Sequence, residues 1–290
     1  MKKVFSVVSW NVEHFRKPTN ASSKAEWELF EKRMNRVSDL INSKKPDIIG
    51  LYEVEGSDFY KVLLDKFPNY QFHITEGPQT QEILIGVKSS FSAFFTQKVE
   101  FKSGGSYLRP GALLSLKIDD ENYTLMFLHT KSGNDPKGFG LRDDMLARAL
   151  KFRKVLNKVS PSSEGANYIF LGDLNTMGMD YPYDKKVPAS LEIKRIKRRA
   201  AYYKMKQLVK DYPFTFSNGS QSSYPQSDLD HVFASKHLEF KTFPLNYEIN
   251  LINADVQVIG WPQAETLDEQ DKWINEYSDH AMLYFEVIRK

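Results

Sequence analysis

The chain has 290 residues, of which 41% are hydrophobic and 27% charged, a composition typical of globular proteins rather than disordered or fibrous ones. It contains no cysteine, which excludes disulfides, thiolate zinc sites, iron–sulfur clusters and a cysteine nucleophile. The formal net charge of +3 is too small to indicate a polyanionic partner by itself. No run of about 18 apolar residues occurs, so we expect no membrane span.

Short apolar, β-branched runs recur along the chain, and each has the length and composition of a strand. The first follows Met1-Lys2-Lys3 and is weakly similar to a signal peptide, but it is short and continues directly into Ser9-Trp10-Asn11. We therefore interpret it as a strand and expect a cytoplasmic protein. The predicted strands are residues 4–12, 47–54, 82–87, 112–118, 123–129, 168–174, 229–234 and 282–288.

Three segments carry apolar residues at helical spacing, namely residues 22–43, 141–158 and 191–210. The strands are too many and too clustered for a regular βα barrel, and Asp119-Asp120-Glu121-Asn122 predicts a hairpin between two of them. Mixed sheets with helices packed outside are therefore favoured. No repeat, low-complexity tract or linker is evident, so we expect residues 1–290 to form a single domain.

Polar residues follow four of the predicted strands at the point where each apolar run ends. They are Asn11, Glu53, His129 and Asp173, the last followed closely by Asn175. A buried strand that ends in a polar residue commonly delivers that residue to a cleft at the sheet edge. Carboxylate and amide oxygens with imidazole suit Mg²⁺ or Mn²⁺ and phosphate chemistry. The sequence thus predicts a metal-assisted phosphate site at this edge.

Six short motifs extend this pattern over nearly the whole chain, and their order resembles the endonuclease/exonuclease/phosphatase superfamily. They are Ser9-Trp10-Asn11-Val12, Leu51-Tyr52-Glu53-Val54, His129-Thr130-Lys131, Gly172-Asp173-Leu174-Asn175, Asp228-Leu229-Asp230-His231-Val232 and Ser278-Asp279-His280. The resemblance implies a metal-dependent phosphoesterase. It also implies an α+β fold, a four-layer α/β sandwich in which two packed mixed β-sheets are flanked by helices.

The resemblance assigns the metal to Glu53, with Asn11 and Asp279 nearby. Glu55 lies two residues beyond Glu53 and is an alternative ligand. Glu13 occupies a place where some relatives carry a second acidic residue, and a solvated loop acid is an equally good interpretation. Exposed strand-end acids are common, but the apolar run before Glu53 disfavours that interpretation for it.

The same resemblance gives the catalytic residues. His280 is the candidate general base, because its ordinary pKa near 6.5 suits that task, and Asp230 would orient its other ring nitrogen. Asp173 would position the attacking water or protonate the leaving group, and we leave these two roles open. His129 and Asn175 would contact phosphate oxygens, although a buried core histidine and a turn asparagine are the structural alternatives.

Basic charge is concentrated in the third predicted helix, residues 191–210, and Tyr202 and Tyr203 lie among its cations. A basic helix near a phosphodiester site suggests contact with a nucleic-acid backbone, and a solvated surface helix is an equally weighted alternative. Inositol phosphates or anionic lipid would also suit it. The segment holds eight cations against Glu192: Lys194, Arg195, Lys197, Arg198, Arg199, Lys204, Lys206 and Lys210.

The segment that begins at His129 and includes Lys131 is similar to deoxyribonuclease-type members of the superfamily. In those relatives Arg142, on the following helix, would approach the phosphate-binding face, unless it is merely an exposed helix residue. We therefore predict Lys131, Arg142, Arg195, Arg198 and Arg199 as substrate-binding residues.

These observations favour a monomeric, Mg²⁺- or Mn²⁺-dependent phosphodiesterase, a nuclease acting on DNA or RNA through a His-activated water. The first alternative is a phosphomonoesterase, or an enzyme for phospholipids or inositol phosphates, on the same site. The second is a catalytically silent nucleic-acid-binding protein. The choice between DNA and RNA, endo or exo action, and the number of metal ions stay open.

Overall fold

The structure, a computed structural model, describes residues 2–56, 59–183, 185–244 and 253–289. In these residues the strands are β1 (Lys2–Arg16), β2 (Ile48–Glu55), β3 (Tyr70–Ile74), β4 (Glu82–Lys88), β5 (Ser92–Lys98), β6 (Gly111–Ile118), β7 (Glu121–His129), β8 (Asn167–Asp173), β9 (Met205–Gln207), β10 (Asp230–Ser235), β11 (Glu239–Phe240), β12 (Gln257–Ile259) and β13 (Met282–Arg289). The helices are α1 (Lys24–Lys44), α2 (Tyr60–Lys66), α3 (Pro136–Asn157), α4 (Ala189–Tyr202) and α5 (Leu267–Glu276).

The strands form two mixed sheets. The first has the order β11-β13-β1-β2-β4-β3, with β12 also paired to β13, and the second has the order β5-β6-β7-β8-β10-β9. β1 is parallel to β2 and antiparallel to β13. β7 is parallel to β8, which is antiparallel to β10. Each sheet therefore has one parallel pair at its centre, and the carboxyl ends of that pair lie at the same edge.

Three apolar cores separate four layers. The central core joins the inner faces of the two sheets, through residues such as Phe5 of β1 and Phe127 of β7. A second core lies between the first sheet and α1 and α2, and a third between the second sheet and α3 and α4. The α+β sandwich of two packed mixed sheets flanked by helices is thus confirmed.

Strand β1 shows why its sequence is apolar almost throughout. Phe5 and Val7 face the central core, whereas Val8, Trp10 and Val12 face the core under α1. Successive side chains of a strand point to opposite faces, so a strand covered on both sides needs apolar residues at both positions.

The predicted hairpin and the first two predicted helices, which correspond to α1 and α3, are present in the structure. β6 and β7 are joined by Asp119 and Asp120, both with positive φ (47° and 63°), as a tight hairpin turn requires. Helix α1 begins after Ser23, whose side chain and that of Glu26 form a capping box. Helix α3 begins earlier than predicted, because Asp135 caps it through the amides of Lys137 and Gly138. Among the described residues, no helix is both long and apolar enough to cross a bilayer.

The third predicted helix, residues 191–210, is wrong in its second half. Helix α4 ends at Tyr202, Lys204 adopts a positive φ of 54°, and Met205–Gln207 becomes edge strand β9 beside β10. Arg153 of α3 donates to the carbonyl of Lys204 at 2.8 Å and holds this turn. The run of basic residues from Lys194 to Lys210 therefore extends beyond the end of α4, and the composition of the segment did not indicate that end.

Candidate active site

The predicted polar residues converge at one edge of the two sheets. Register pairing places His129 at the end of β7 beside Asp173 at the end of β8, and Asp230 at the start of β10 on the other side of Asp173. From the first sheet, Asn11 of β1 pairs beside Tyr52, the residue before Glu53 of β2. The parallel pairs β1–β2 and β7–β8 bring these strand ends together, as the sequence predicted.

One side-chain amide connects the two sheets at this edge. Nδ2 of Asn11 donates to Oε1 of Glu53 at 3.0 Å and to Oδ2 of Asp173 at 2.9 Å. Oδ1 of the same amide accepts the backbone N–H of Glu13 at 3.0 Å. Asn11 therefore positions two carboxylates with its nitrogen, and a role as an oxygen ligand to metal stays a prediction.

His129 completes a group that can hold a cation. Its Nε2 lies 3.4 Å from Oδ2 of Asp173 and 3.7 Å from Oε1 of Glu53. Burial and the charges of Arg109 and His280 hold the pKa of His129 well below its usual value, so the ring is neutral. One neutral nitrogen and two carboxylate oxygens within 4.8 Å of one another are a donor set that suits a divalent cation.

The titration of Asp173 supports the same assignment. Burial raises the pKa of Asp173 to about 7, and the charges of Asp230 and Glu53 act in the same direction against that of His280. Two carboxylates this close are costly to bury without a compensating positive charge. Glu53 and Asp173, with His129, are thus the residues that would hold the ion.

Asp279 lies on the other side of the site, next to His280. Burial raises its pKa to about 6, and the charges of Glu13 and Glu53 add to this effect. Its Oδ1 lies 4.0 Å from Nε2 of His280 and 3.4 Å from the hydroxyl of Ser278. The charge of Glu53 therefore acts on the carboxylate of Asp279. The assignment of Asp279 as a metal ligand stays a prediction.

His280 and Asp230 form a buried acid–imidazole pair. Nδ1 of His280 lies 2.8 Å from Oδ2 of Asp230, and its Nε2 points toward Asp173 at 3.9 Å. Burial opposes protonation, but the charges of Asp230 and Asp173 raise the pKa of His280 well above its usual value. The ring of Phe216 packs edge-on against His280, with centroids 5.2 Å apart. These contacts fix the orientation of the imidazole, so that Nδ1 faces Asp230 and Nε2 faces Asp173.

The chain segments around this pair are tied to β1. The indole Nε1 of Trp10 donates to the carbonyl of His280 at 2.8 Å, and the hydroxyl of Ser278 donates to the carbonyl of Asn11 at 2.7 Å. Both contacts are buried, and they fix the start of β13 against the strand that carries Asn11. The spacing between His280 and the carboxylates therefore depends on backbone contacts as well as side chains.

Asn175 is placed by the residue that it follows. Its backbone N–H donates to Oδ1 of Asp173 at 3.0 Å, and its Nδ2 donates to the carbonyl of Thr130 at 3.2 Å. The residue has a φ of 48°, which asparagine tolerates better than most residues. One amide N–H then remains for a substrate oxygen.

Backbone strain lies beside the carboxylates. Glu13, His14 and Glu53 all have positive φ, of 41°, 45° and 62°, where the β1–β2 register shifts. Each such residue costs of order 1–3 kcal/mol, which commonly indicates a functional site. The bulge turns Glu53 toward Asp173, and Gln81 and the N–H of His14 hold its second oxygen at 2.8 and 3.3 Å.

Arg142 is not the substrate contact that was predicted. It is fully buried, and its guanidinium donates to both carboxylate oxygens of Glu192 and to the carbonyls of Lys131, Gly133 and Gly178. All five N–H donors are used inside the protein. Arg142 is therefore a positioning residue that ties the two loops beside the site to α4.

The remaining predicted substrate residues lie on the surface of the loops and of α4. Lys131 is half-buried, and its Nζ donates to the carbonyl of Ser132. Arg195 and Arg198 are exposed, with Arg195 also over the ring of Phe139. Arg199 forms an ion pair with Asp143. These residues are not brought into the carboxylate cluster, and their role in substrate binding stays a prediction.

Sequence reasoning missed Arg109, which precedes β6. Its charge acts on Glu53 and Asp173, and it lowers the pKa of His129. Its Nε is buried and has no hydrogen-bond partner among the residues that the structure describes, although an unpaired buried N–H is costly. Arg109 is thus a cation beside the site with a free donor. A single arginine between Leu108 and Pro110 carries no pattern, so only the structure identifies it.

Two cavities lie next to the strained segment rather than at the cluster itself. One of about 950 Å³ includes Glu55 and Trp27 in its wall, and one of about 560 Å³ includes Glu13 and His14. The ring of His14 contacts Glu55 at 3.0 Å, so these two residues connect the walls of the two cavities.

The sequence as a whole matches the model of the Endonuclease/Exonuclease/phosphatase family over residues 8–280, a span that includes every residue of the cluster. The chain belongs to this family. Members of the family are divalent-metal-dependent phosphoester hydrolases, so the resemblance drawn from the motifs is confirmed at the level of phosphoester hydrolysis.

Known structures share this family's fold with the chain at low sequence identity. TDP2 from Caenorhabditis elegans has a TM-score of 0.64 and 18% identity, over 98% of this chain and 74% of that one. D. rerio TDP2, complexed with a single strand DNA product, has a TM-score of 0.60 and 16% identity, over 98% and 99%. A mannosyl-6-phosphatase from Bacteroides thetaiotaomicron has a TM-score of 0.59 and 14% identity, over 98% and 100%. A comparison with curated protein sequences gives no significant match.

His231, which has no role predicted from the motifs, is a neutral histidine in a hydrogen-bond network. Its ring nitrogens contact the hydroxyl of Thr176 at 2.8 Å and the amide of Gln207 at 2.7 Å. Burial lowers its pKa to about 4. The imidazole of His231 therefore binds a proton near pH 6.5 in the unfolded chain, whereas in the folded chain it stays neutral until the pH approaches 4.

This difference predicts that the free energy of unfolding decreases as the pH is lowered. Between pH 6.5 and 4, His231 should cost the folded state up to about 3 kcal/mol, with no further change below pH 4. Urea unfolding of wild type and His231→Gln at pH 7 and pH 4.5 measures it. The wild type should lose more free energy of unfolding than the variant, whereas equal losses would show that His231 titrates normally.

Proposed function

We propose that this chain is an Mg²⁺-dependent phosphodiesterase that hydrolyses DNA or RNA, with His280 as the base that activates water. The observation that carries the proposal is the His280–Asp230 pair, whose free Nε2 faces the cluster of Glu53, Asp173 and His129. The oxygen-rich donor set supports Mg²⁺. A monomeric, single-domain, cytoplasmic enzyme is part of the proposal, and the absence of cysteine supports a reducing compartment.

The chemistry begins with the removal of a proton from water. Asp230 accepts from Nδ1 of His280, which leaves Nε2 to take the proton. The negative charge of Asp230 stabilises the imidazolium that forms when Nε2 accepts the proton. A bound divalent ion supplies neutralisation of the phosphate charge and stabilisation of the leaving oxygen.

Two donors of the chain can then hold the phosphate. Asn175 offers one amide N–H, and Arg109 offers an Nε–H that has no partner among the described residues, whereas Nε2 of His129 would be occupied by the ion. Donors fixed before the reaction favour the charge that develops in the transition state. Burial raises the pKa of Asp173 to about 7 in the ion-free chain, and a bound cation would favour the carboxylate form. Both of its predicted roles, toward the water and toward the leaving oxygen, stay open.

The surface supports a polyanionic substrate. Lys194, Arg195, Lys197 and Arg198 are exposed on α4, which follows the segment that leaves the site after Asn175. Backbone phosphates bind such a row of cations through release of counterions. A sugar phosphate or another small phosphomonoester has no use for a row of this length, so α4 favours the nuclease over the phosphatase alternative.

Replacement of the catalytic residues tests the mechanism. His280→Asn, Asp230→Asn and Asp173→Asn should each lower kcat on bis(p-nitrophenyl) phosphate and on an oligonucleotide by about 10²–10⁴-fold, because each removes a proton-transfer group or its orienting partner. Steady-state kinetics measure the change, and circular dichroism confirms the fold.

His237→Ala is the matched control, because His237 contacts Asn167 at the opposite end of β8. It should retain the wild-type rate. A rate within twofold of wild type for His280→Asn would remove His280 from the mechanism. If the wild type hydrolyses the small ester but no nucleic acid, the proposed substrate class would change from nucleic acid to small phosphoesters.

Charge reversal on α4 tests the nucleic-acid surface. The triple variant Lys194→Glu, Lys197→Glu, Arg198→Glu should weaken binding of a fluorescent oligonucleotide and flatten the dependence of Kd on salt, because three phosphate contacts are lost. Fluorescence anisotropy between about 50 and 200 mM salt is the measurement.

The control for this variant reverses three exposed lysines of α1 and α2, which cover the other sheet: Lys32→Glu, Lys61→Glu and Lys66→Glu. Its net charge changes equally, so it measures the effect of overall charge. Equal salt slopes in the two triple variants would show that α4 is only a solvated surface helix.

A further inference from the structure

Two tyrosines project into solvent from the segment that follows Asn175. The side chain of Tyr183 is 89% exposed and that of Tyr181 is 44% exposed. Their rings lie edge to face with centroids 6.1 Å apart. Aromatic surface that remains in water is a source of binding free energy, and these adjacent rings form a patch rather than a scattered residue. The pair is therefore a candidate contact surface.

The base of this segment is fixed by the protein. Met179 and Val187 exchange two backbone hydrogen bonds of 2.7 Å, which closes a loop around the tyrosines. Asp180 donates its N–H to the carbonyl of Asn134 at 2.7 Å, and its Oδ2 accepts from Nδ2 of Asn134 at 2.9 Å. The base of the loop is thus held in place before ligand binds, which lowers the entropic cost of binding.

This support connects the tyrosines to both parts of the proposed substrate surface. Gly178 follows Asn175 by three residues, so the base of the loop lies within about 11 Å of it. The N–H of Gly178 donates at 2.7 Å to Glu192 of α4, the helix that carries the exposed cations. Asn134, on the other side, belongs to the loop that contains Lys131. The loop that carries the tyrosines is therefore attached at its base to the segment of Asn175, to the loop of Lys131 and to the basic helix.

Aromatic faces beside cations are the chemistry that binds unpaired bases. Stacking of a base on an aromatic side chain is tolerant of sequence, and nearby lysine and arginine side chains follow the backbone. In a duplex the base faces are already covered by their neighbours, so this contact is not offered. Lys186, paired with Asp180 at 3.2 Å, adds a cation at the base of the tyrosine pair.

We propose that Tyr181 and Tyr183 bind an unpaired base next to the scissile phosphate, so that the preferred substrate is single-stranded at the point of cleavage. This inference rests on the proposed nuclease function and goes beyond it, because it names strandedness. It gives the two tyrosines a role in specificity and none in the chemical step.

The test compares one oligonucleotide as a single strand and as a blunt duplex with its complement, using whichever of DNA or RNA the wild type cleaves. Bis(p-nitrophenyl) phosphate, which has no bases, is the third substrate. Tyr181→Ala and Tyr183→Ala should each lower kcat/KM on the single strand about tenfold relative to the other two substrates. Tyr183→Phe keeps the ring and should retain most of the single-strand rate.

Phe94→Ala is the matched control, since Phe94 is 68% exposed on β5, at the opposite edge of its sheet from β9, and should not alter this ratio. Anisotropy of a labelled single strand, measured with the same tyrosine changes in a His280→Asn background, checks binding without turnover. Equal losses on single strand and duplex, or no loss on either, would overturn the inference while leaving the nuclease intact. A wild type that cleaves no nucleic acid would instead remove the proposed function, and the inference with it.

Discussion

The site depends on two carboxylates that are held side by side by one amide. Nδ2 of Asn11 donates to Glu53 within its own sheet and to Asp173 of the other sheet. Since like charges repel and burial penalises both, this arrangement needs a compensating positive charge. The pKa of Asp173 is raised because its burial and the neighbouring carboxylates outweigh the charge of His280. A divalent cation at this cluster would supply the compensating charge, and it would connect the packing of the two sheets to phosphoester chemistry.

The rest of the fold keeps these groups in place. Each sheet has a parallel pair whose carboxyl ends face the same edge, and the central core packs the two sheets together. The contact from Trp10 to the carbonyl of His280 then places the imidazole against the same cluster. The buried guanidinium of Arg142 fixes the surrounding loops from below. The arrangement of the carboxylates and histidines at this edge is therefore set by the packing of the two sheets, and we expect the surrounding loops to determine substrate specificity.

The sequence predicted the sheets and the polar strand ends well, because strand periodicity and apolar runs are local and Glu53 and His129 directly follow such runs. It failed where partners are distant in the chain. Arg142 looks like any exposed helical arginine until Glu192, fifty residues later, packs against it. Lys210 seemed part of the basic helix, but it is buried in an ion pair with Asp228 beyond the end of that helix. Arg109 carries no local pattern, and only its unpaired Nε beside the cluster identifies it.

The most direct measurement is whether a divalent cation stabilises the folded protein through Glu53. An ion that binds only the folded chain raises the free energy of unfolding by RT ln(1 + [L]/Kd), so thermal unfolding is followed with increasing Mg²⁺ or Mn²⁺ against EDTA. Wild-type Tm should rise with the ion, and Glu53→Gln, which keeps the shape but not the charge, should lose that rise. Glu28→Gln, an exposed acid of α1, should keep it. The absence of any rise in the wild type, or an equal rise in Glu53→Gln, would contradict a metal centre at this cluster.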